Sequence, residues 1–313
     1  MNELHVVLHP RFPPAVDHAL RAMPGVVLHC PHDEAGVVRA LDAGAKVLVT
    51  YIWRPEFLRP ALRWVAGAGA GIEQYPLAQF HERGIVLTTA AGVHAECVAE
   101  HAFALMLALT RRIGEAARHM AAQHWQALPG EQLAGKKLAI VGLGRIGEQV
   151  ARRAQGWDME IMGIKRDPRR HGGAVRDVRG EDQLDAACEW ADILLLAAPA
   201  RPDRSALVGE EQLVRLGRGW LVNVGRGSLV DEAALVRALA AGRLRGAGLD
   251  VTAVEPLPAD SPLWRLPNVV VTAHNAGDSP GFGPRWGAIF GRNLAAWAGG
   301  GEWTNRVPAG ATA

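Results

Sequence analysis

Apolar residues in this chain gather into short runs, and between the runs they recur at helical spacing. From Lys137 to Ile164 the pattern is compact. An apolar run, Lys137–Val141, leads into a glycine turn, a helical stretch and a second apolar run, Glu160–Ile164. A run that is apolar throughout, rather than alternating, suits a strand covered on both faces, and strands that alternate with helices build parallel sheets. The alternation continues at Ile193–Ala197, Trp220–Val224, Gly246–Asp250 and Val269–Thr272. Ahead of it, Leu4–Leu8, Val26–His29, Lys46–Thr50, Trp64–Ala66 and Val86–Thr88 predict strands of a separate sheet. Val98–Ile113 is apolar almost all round a helical wheel, which predicts a buried helix linking the two halves. The expected class is α/β with parallel sheets.

The glycine turn brings chemistry into the pattern. Gly142, Gly144 and Gly147 form G-x-G-x-x-G where a strand gives way to a helix, the context in which that spacing means dinucleotide binding. Gly142 permits the tight turn, Gly144 lets backbone approach a pyrophosphate, and Gly147 allows helix and strand to pack closely. Unpaired N–H groups at the helix start favour an anion, and Arg145 adds a full positive charge. Such a unit normally places an acidic residue about 20 residues further on, against the adenosine ribose. Here the second strand ends in Lys165-Arg166, with Arg169 and Arg170 close behind. A basic cluster suits a 2′-phosphate, so the expected cofactor is NADP, with NAD possible. The competing reading is a solvated basic loop whose carboxylate has moved to Asp167.

Composition narrows the picture. With 313 residues and 49% hydrophobic content, the chain can fill two domains. A net charge of +2, without basic runs outside 165–170, does not imply nucleic acid. The three cysteines, Cys30, Cys97 and Cys188, are far apart and show no ligand spacing. They are expected to be small buried side chains in a reducing compartment, with no structural metal. The first ten residues lack a signal-peptide layout, and no apolar run approaches the roughly 18 residues of a membrane span. The expectation is a soluble, cytoplasmic protein.

In a parallel α/β sheet, ligands bind outside the carboxyl ends of the strands. Three ionisable residues fall there: Arg226, Glu255 and His274. Each alone has an ordinary structural reading, but together beside a cofactor fold they form an acid–base and anion-binding set. In the first half, the Gly67-Ala-Gly-Ala-Gly71 loop exposes backbone N–H groups that suit a small carboxylate, and a plain turn is the alternative. His101, inside the buried helix, reads as a satisfied core or interface histidine. Trp125 reads as an anchor for a connecting segment, with a reach into a neighbouring active site as the alternative.

Four ordered motifs now carry a resemblance. Val141-Gly-Leu-Gly-Arg-Ile-Gly147, Asn223-Val-Gly-Arg-Gly-Ser-Leu-Val-Asp-Glu-Ala-Ala-Leu235, Leu249-Asp-Val-Thr-Ala-Val-Glu-Pro-Leu-Pro258 and Thr272-Ala-His-Asn-Ala-Gly277 resemble those of the D-isomer-specific 2-hydroxyacid dehydrogenases. The likeness spans about Gly67 to Asn305. It implies two Rossmann-like domains with a cleft between them: a substrate-binding lid of residues 1–98 plus 285–313, and a dinucleotide-binding domain of 99–284. It also implies a homodimer built largely on the second domain. Residue by residue, Arg226 would grip the 2-oxo acid, His274 would donate or take the proton, and Glu255 would orient the His274 ring. Ala68, Gly69 and Trp53 would contact substrate. Arg145 and Ile146 would meet the pyrophosphate, Asp250 the nicotinamide end, and Ala198, Pro199, Val224 and Gly225 would complete the cofactor site with Arg226 and His274.

This chain departs from the family pattern in several places. Lys165-Arg166 replaces the usual aspartate, and Arg201 and Arg204 stand in a loop that commonly carries hydroxyls. Tyr51-Ile-Trp-Arg-Pro55 brings Arg54 near the implied pocket, where it would bind a second anionic group or lie exposed. A regulatory domain like that of some phosphoglycerate dehydrogenases is not expected. The implied activity is NADP-preferring reduction of a small 2-oxo acid such as glyoxylate or hydroxypyruvate. The alternative is a cofactor-sensing binding protein of the same fold; a formate-type dehydrogenase would not need the Glu255–His274 pair.

Overall fold

The computed structural model describes residues 3–12, 14–201, 203 and 205–308. In chain order the strands are β1 (Leu4–Leu8), β2 (Val26–His29), β3 (Val47–Thr50), β4 (Trp64–Gly67), β5 (Val86–Thr88), β6 (Lys137–Val141), β7 (Glu160–Ile164), β8 (Asp177–Arg179), β9 (Ile193–Leu196), β10 (Trp220–Asn223), β11 (Gly246–Leu249) and β12 (Val269–Val271). The helices are α1 (Pro14–Arg21), α2 (Glu34–Asp42), α3 (Leu77–Glu82), α4 (Ala95–Thr110), α5 (Ile113–Ala121), α6 (Arg145–Gln155), α7 (Leu184–Trp190), α8 (Glu210–Leu216), α9 (Glu232–Ala240) and α10 (Phe282–Trp297). Every strand expected from the apolar runs is present, with ends within one residue of those expected.

Two compact units result, Met1–Val93 with Ser279–Ala313, and His94–Asp278. The first holds a five-stranded sheet in the order β2-β1-β3-β4-β5, and all its pairings are parallel. Successive side chains along a strand point to opposite faces, so each run fills two cores. Val6, Val47 and Trp64 join Trp286 and Phe290 on one face, while Val7, Leu48 and Val65 join Phe57 and Phe80 on the other.

The second unit holds seven parallel strands in the order β12-β11-β10-β9-β6-β7-β8. Its strands divide their side chains in the same way, Ala139 and Leu194 to one face, Leu138 and Ile193 to the other. The chain runs outward from β6 to β8, returns to the centre at β9 and then runs the opposite way to β12. Loops after β6 and β9 therefore diverge, and that switch point is where this architecture leaves a ligand crevice.

Several expectations are corrected. The boundaries at 98/99 and 284/285 would cut α4 and α10; the division falls before each helix, because a hydrogen-bonded helix moves as one body. The buried helix runs Ala95–Thr110 rather than Val98–Ile113, since Arg112 adopts a left-handed φ of 55° and a new helix starts at Ile113. Strand β8 escaped the apolar-run reading because Asp-Val-Arg is an edge strand with two charged residues in three. Trp125, expected as an anchor, is 100% exposed in a segment without regular structure. Cys188 is buried, and burial pushes its thiol up to about 12, but Cys97 is half-buried. Cys30 is exposed just after edge strand β2, where its thiol donates to Asp17.

Among the described residues no helix is long and apolar enough to cross a membrane, and no group of three or more His, Cys, Asp or Glu could hold a metal ion. Trp64 is the keystone of the first unit. It is fully buried, donates its indole N–H to Thr88 Oγ1 at 3.0 Å and stacks on Phe290 with centroids 4.7 Å apart. Replacing a buried aromatic side chain by alanine costs about 3 to 5 kcal/mol. Trp64→Ala is therefore expected to shift chemical unfolding of the first unit by that amount; a change below about 1 kcal/mol would contradict this packing.

Candidate active site

The glycine turn after β6 is shaped for a pyrophosphate. Gly142 has φ +98°, and a Cβ there would lie 2.6 Å from the Ala198 nitrogen. At Gly147 a Cβ would collide with the Gly142 carbonyl oxygen. Gly144 is the N-cap of α6, has open space where a side chain would be, and leaves the helix without a side-chain cap. A helix start without a side-chain cap, opened by a residue that carries no side chain, is the arrangement that suits an anion. Arg145 is exposed at the first helical position and Ile146 is half-buried beside it. Next to this turn lies a cavity of about 280 Å³ whose lining includes Gly142, Gly144, Lys165, Arg166, Ala198 and Pro199. Bare glycines, an uncapped helix start and an adjoining cavity fit a dinucleotide.

The charge of that cavity is mixed. Arg166 and Arg201 converge on Glu181, at 4.0 and 3.3 Å, and Glu181 also lines the cavity. The sequence reading missed Glu181, which follows β8 and so arrives through a strand that was itself unforeseen. Asp167, the other candidate for the ribose, has local partners. It caps a short turn by accepting from the Arg169 backbone and pairs with the Arg169 side chain at 3.2 Å. Arg204 and the side chain of Arg170 lie outside the described residues.

Arg226, Glu255 and His274 follow β10, β11 and β12, three neighbouring strands, at their carboxyl ends. The structure joins two of them directly: His274 Nδ1 lies 2.7 Å from Glu255 Oε2. The other oxygen of Glu255 accepts from the Thr252 backbone at 3.1 Å, so the carboxylate cannot swing away without losing that bond. His274 Nε2 is left as the nitrogen able to give or take a proton, on a side chain 46% exposed. Arg226 is half-buried, and its turn is pinned by the buried Asn223 side chain, which accepts from Gly225 N and donates to Arg226 O, both at 3.0 Å. Gly227 presses directly on the Thr252 carbonyl, leaving no room for a Cβ and locking the Arg226 turn to the Glu255 turn. Val224 is buried, and Gly225 packs on Ala198 at the end of β9.

His274 itself has φ 51°, a left-handed conformation that a non-glycine residue keeps only when its surroundings impose it. Asp250 imposes it. Its backbone oxygen accepts from His274 N at 2.9 Å, and its carboxylate accepts from Asn275 N and Ala276 N at 3.1 Å each. Asp250, expected at the nicotinamide end, also lines the cavity that borders Glu255 and His274. The carboxylate is turned inward on a side chain 2% exposed and supports the site from beneath. A cavity of about 490 Å³ borders the pair, lined by Glu255, Pro256, Leu257, Trp264 and His274 among others.

The residues expected to contact substrate from the first half lie in the first unit. Ala68 N donates to Thr50 O at 3.3 Å and is already satisfied, so of the two backbone donors expected to hold a carboxylate, Gly69 remains. Thr50 O also accepts the Tyr75 hydroxyl at 2.8 Å, and burial pushes that hydroxyl's titration up. Trp53 is half-buried with its ring edge-on to Phe80 at 4.8 Å, and Arg54 pairs with Glu34 at 3.0 Å. Asn223 and Thr252 are the supports that sequence reasoning overlooked; both sit inside quoted motifs, but nothing in residue type alone marked them as props.

With the geometry in place, comparison with known proteins is informative. Residues 103–276 match the family described as D-isomer specific 2-hydroxyacid dehydrogenase, NAD binding domain, and residues 55–136 match its catalytic domain. The chain is 38% identical over 248 residues to a glyoxylate reductase of Korarchaeum cryptofilum, covering 76% of this chain and 74% of that protein. It is 37% identical over 223 residues to a glyoxylate/hydroxypyruvate reductase B of Pectobacterium carotovorum, 69% of each. A similar solved structure is the NADPH-dependent glyoxylate/hydroxypyruvate reductase of Sinorhizobium meliloti in complex with NADP and malonate. It has a TM-score of 0.82 at 30% identity and covers 98% of both chains.

Proposed function

The chain belongs to the D-isomer-specific 2-hydroxyacid dehydrogenases, and from that premise we propose that it is an NADP-preferring reductase of small 2-oxo acids of the glyoxylate and hydroxypyruvate type. The observation that carries this reading is the 2.7 Å bond between His274 and Glu255, beside a strand end bearing Arg226. When bound, the reduced nicotinamide supplies a hydride to C2 of the acid. His274 Nε2 gives its proton to the carbonyl oxygen as that oxygen becomes a hydroxyl, and in the reverse direction the neutral ring takes the proton back. Glu255 holds Nδ1 and so aims the other nitrogen. Arg226 spends one N–H on its own Gly225 carbonyl at 2.8 Å and offers the rest of a planar guanidinium to the 2-oxo acid. Gly69 offers its N–H to the acid's carboxylate, and Trp53 limits the size of the group attached to C2.

The preference for NADP rests on Lys165, Arg166 and Arg201 lining one cavity against the single carboxylate of Glu181. That balance leaves net positive charge for a 2′-phosphate. The reductase of Sinorhizobium meliloti, bound to NADP, supports the same choice. A homodimer belongs to this reading as well. Ile113, Met120 and Trp125 expose large apolar surfaces on and just after α5, the kind of surface a second copy would cover.

Two experiments bear on these assignments. His274→Ala is expected to lower kcat for glyoxylate reduction by about 10²- to 10⁴-fold while leaving NADPH affinity nearly intact. Arg226→Ala should lower kcat/KM by about a hundredfold. Turnover within about threefold of the parent in either variant would remove that residue from its role. For the cofactor, Lys165→Asp combined with Arg166→Ser is expected to raise the KM for NADPH by about tenfold or more and to spare NADH. An equal effect on both dinucleotides would mean that the basic pair does not read the 2′-phosphate.

A further inference from the structure

Beneath the His274 turn runs a chain of hydrogen bonds that reaches back to α4. His101, on α4, places Nε2 2.9 Å from Thr272 Oγ1, and Thr272 Oγ1 lies 2.6 Å from Asp250 Oδ1. The direction of these bonds follows from proton counting. An ionised carboxylate only accepts, so the single hydroxyl proton of Thr272 goes to Asp250. Thr272 can then only accept from His101, which fixes the hydrogen on His101 Nε2. The same nitrogen is 3.5 Å from Asp250 Oδ1, and among the described residues His101 is the one Lys, Arg or His side chain within ion-pair distance of that carboxylate.

The Asp250 carboxylate must be fully satisfied, because a buried anion that loses a donor is costly. Its donors are the Thr272 hydroxyl and the backbone N–H groups of Asn275 and Ala276. Those two amides belong to the turn that forces His274 into its left-handed conformation. If Thr272 lost its partner, its hydroxyl would be free to rotate away from Asp250. The carboxylate would then lack a donor on the side of β12, and its hold on 275 and 276 would loosen. His101 is thus connected to the catalytic turn through two side chains, Thr272 and Asp250.

We propose that His101 is a positioning residue for His274, acting through the Thr272 hydroxyl and the Asp250 carboxylate. A histidine is suited to this place because its ring N–H is directional. The inference rests on the acid–base role given to His274 above.

The test uses paired variants of the full chain, with two readouts. His101→Leu and Thr272→Val remove links in the chain, whereas His101→Gln keeps a donor and Thr272→Ser keeps the hydroxyl. The expected result is that His101→Leu and Thr272→Val lower kcat by about tenfold with KM changed less than about threefold. Both should also speed hydrogen exchange at the Asn275 and Ala276 amides, while His101→Gln and Thr272→Ser recover most of the rate and the protection. Unchanged exchange at 275 and 276 in both disruptive variants, or kcat within about twofold of the parent, would overturn the inference. Should His101→Leu fail to fold, the Thr272→Val and Thr272→Ser pair decides. Full turnover in His274→Ala would instead sink the acid–base reading, and the exchange readout would still report on the hydrogen-bond chain.

Discussion

One buried carboxylate organises the strand ends of the second unit that carry the candidate site. Asp250 follows β11 and binds in three directions: its N–H donates to Asn223 O at the end of β10, its backbone oxygen accepts from His274, and its carboxylate gathers Thr272, Asn275 and Ala276. A charge at 2% side-chain exposure is tolerable only when its hydrogen bonds are made, so each donor is effectively obligatory. The strand ends carrying Arg226, Glu255 and His274 are held in one register by that requirement. The 2.7 Å bond between Glu255 and His274 depends on it, because His274 reaches Glu255 only from the left-handed turn that Asp250 imposes.

Around this hub the parallel sheet does the rest. All seven strands point their carboxyl ends the same way, so the loops after β6, β7, β9, β10, β11 and β12 emerge on one edge. The glycine turn and basic rim follow the first two, and the Glu255–His274 pair follows the last two. Close backbone packing welds neighbouring loops together: Gly142 and Gly225 each abut Ala198, and Gly227 abuts Thr252. Loops packed this closely hold the side chains they carry in place, which lowers the entropy cost of ordering them.

Much of this was legible in the sequence, for physical reasons that differ from one element to another. Strands covered on both faces are apolar at nearly every position, so their runs stand out, and even their ends were readable because turn residues follow at once. The edge strand β8 was not, since one open face permits Asp177 and Arg179. The Glu255–His274 pair was readable as a motif, but the direction of Asp250 was not. Residue type says that an aspartate wants donors; only the fold says that Thr272 and two backbone amides are among them. His101 was read as a satisfied core or interface histidine, and its Nε2 does have partners. What the sequence could not show is which, because its partners lie 171 residues along the chain at Thr272 and across the sheet at Asp250. Glu181 was hidden for a similar reason, being brought beside Arg166 and Arg201 by tertiary structure alone.

The central claim is that this catalytic edge reduces a small 2-oxo acid with a hydride from NADPH and a proton from the protein. The most direct measurement is the initial rate of NADPH and, separately, NADH oxidation by the purified protein with glyoxylate, hydroxypyruvate, pyruvate and phenylpyruvate, with the 2-hydroxy acid product quantified. The account predicts oxidation of NADPH matched mole for mole by hydroxy acid, fastest with glyoxylate or hydroxypyruvate, and slower turnover with NADH. Tight NADPH binding without oxidation by any of these acids would contradict it.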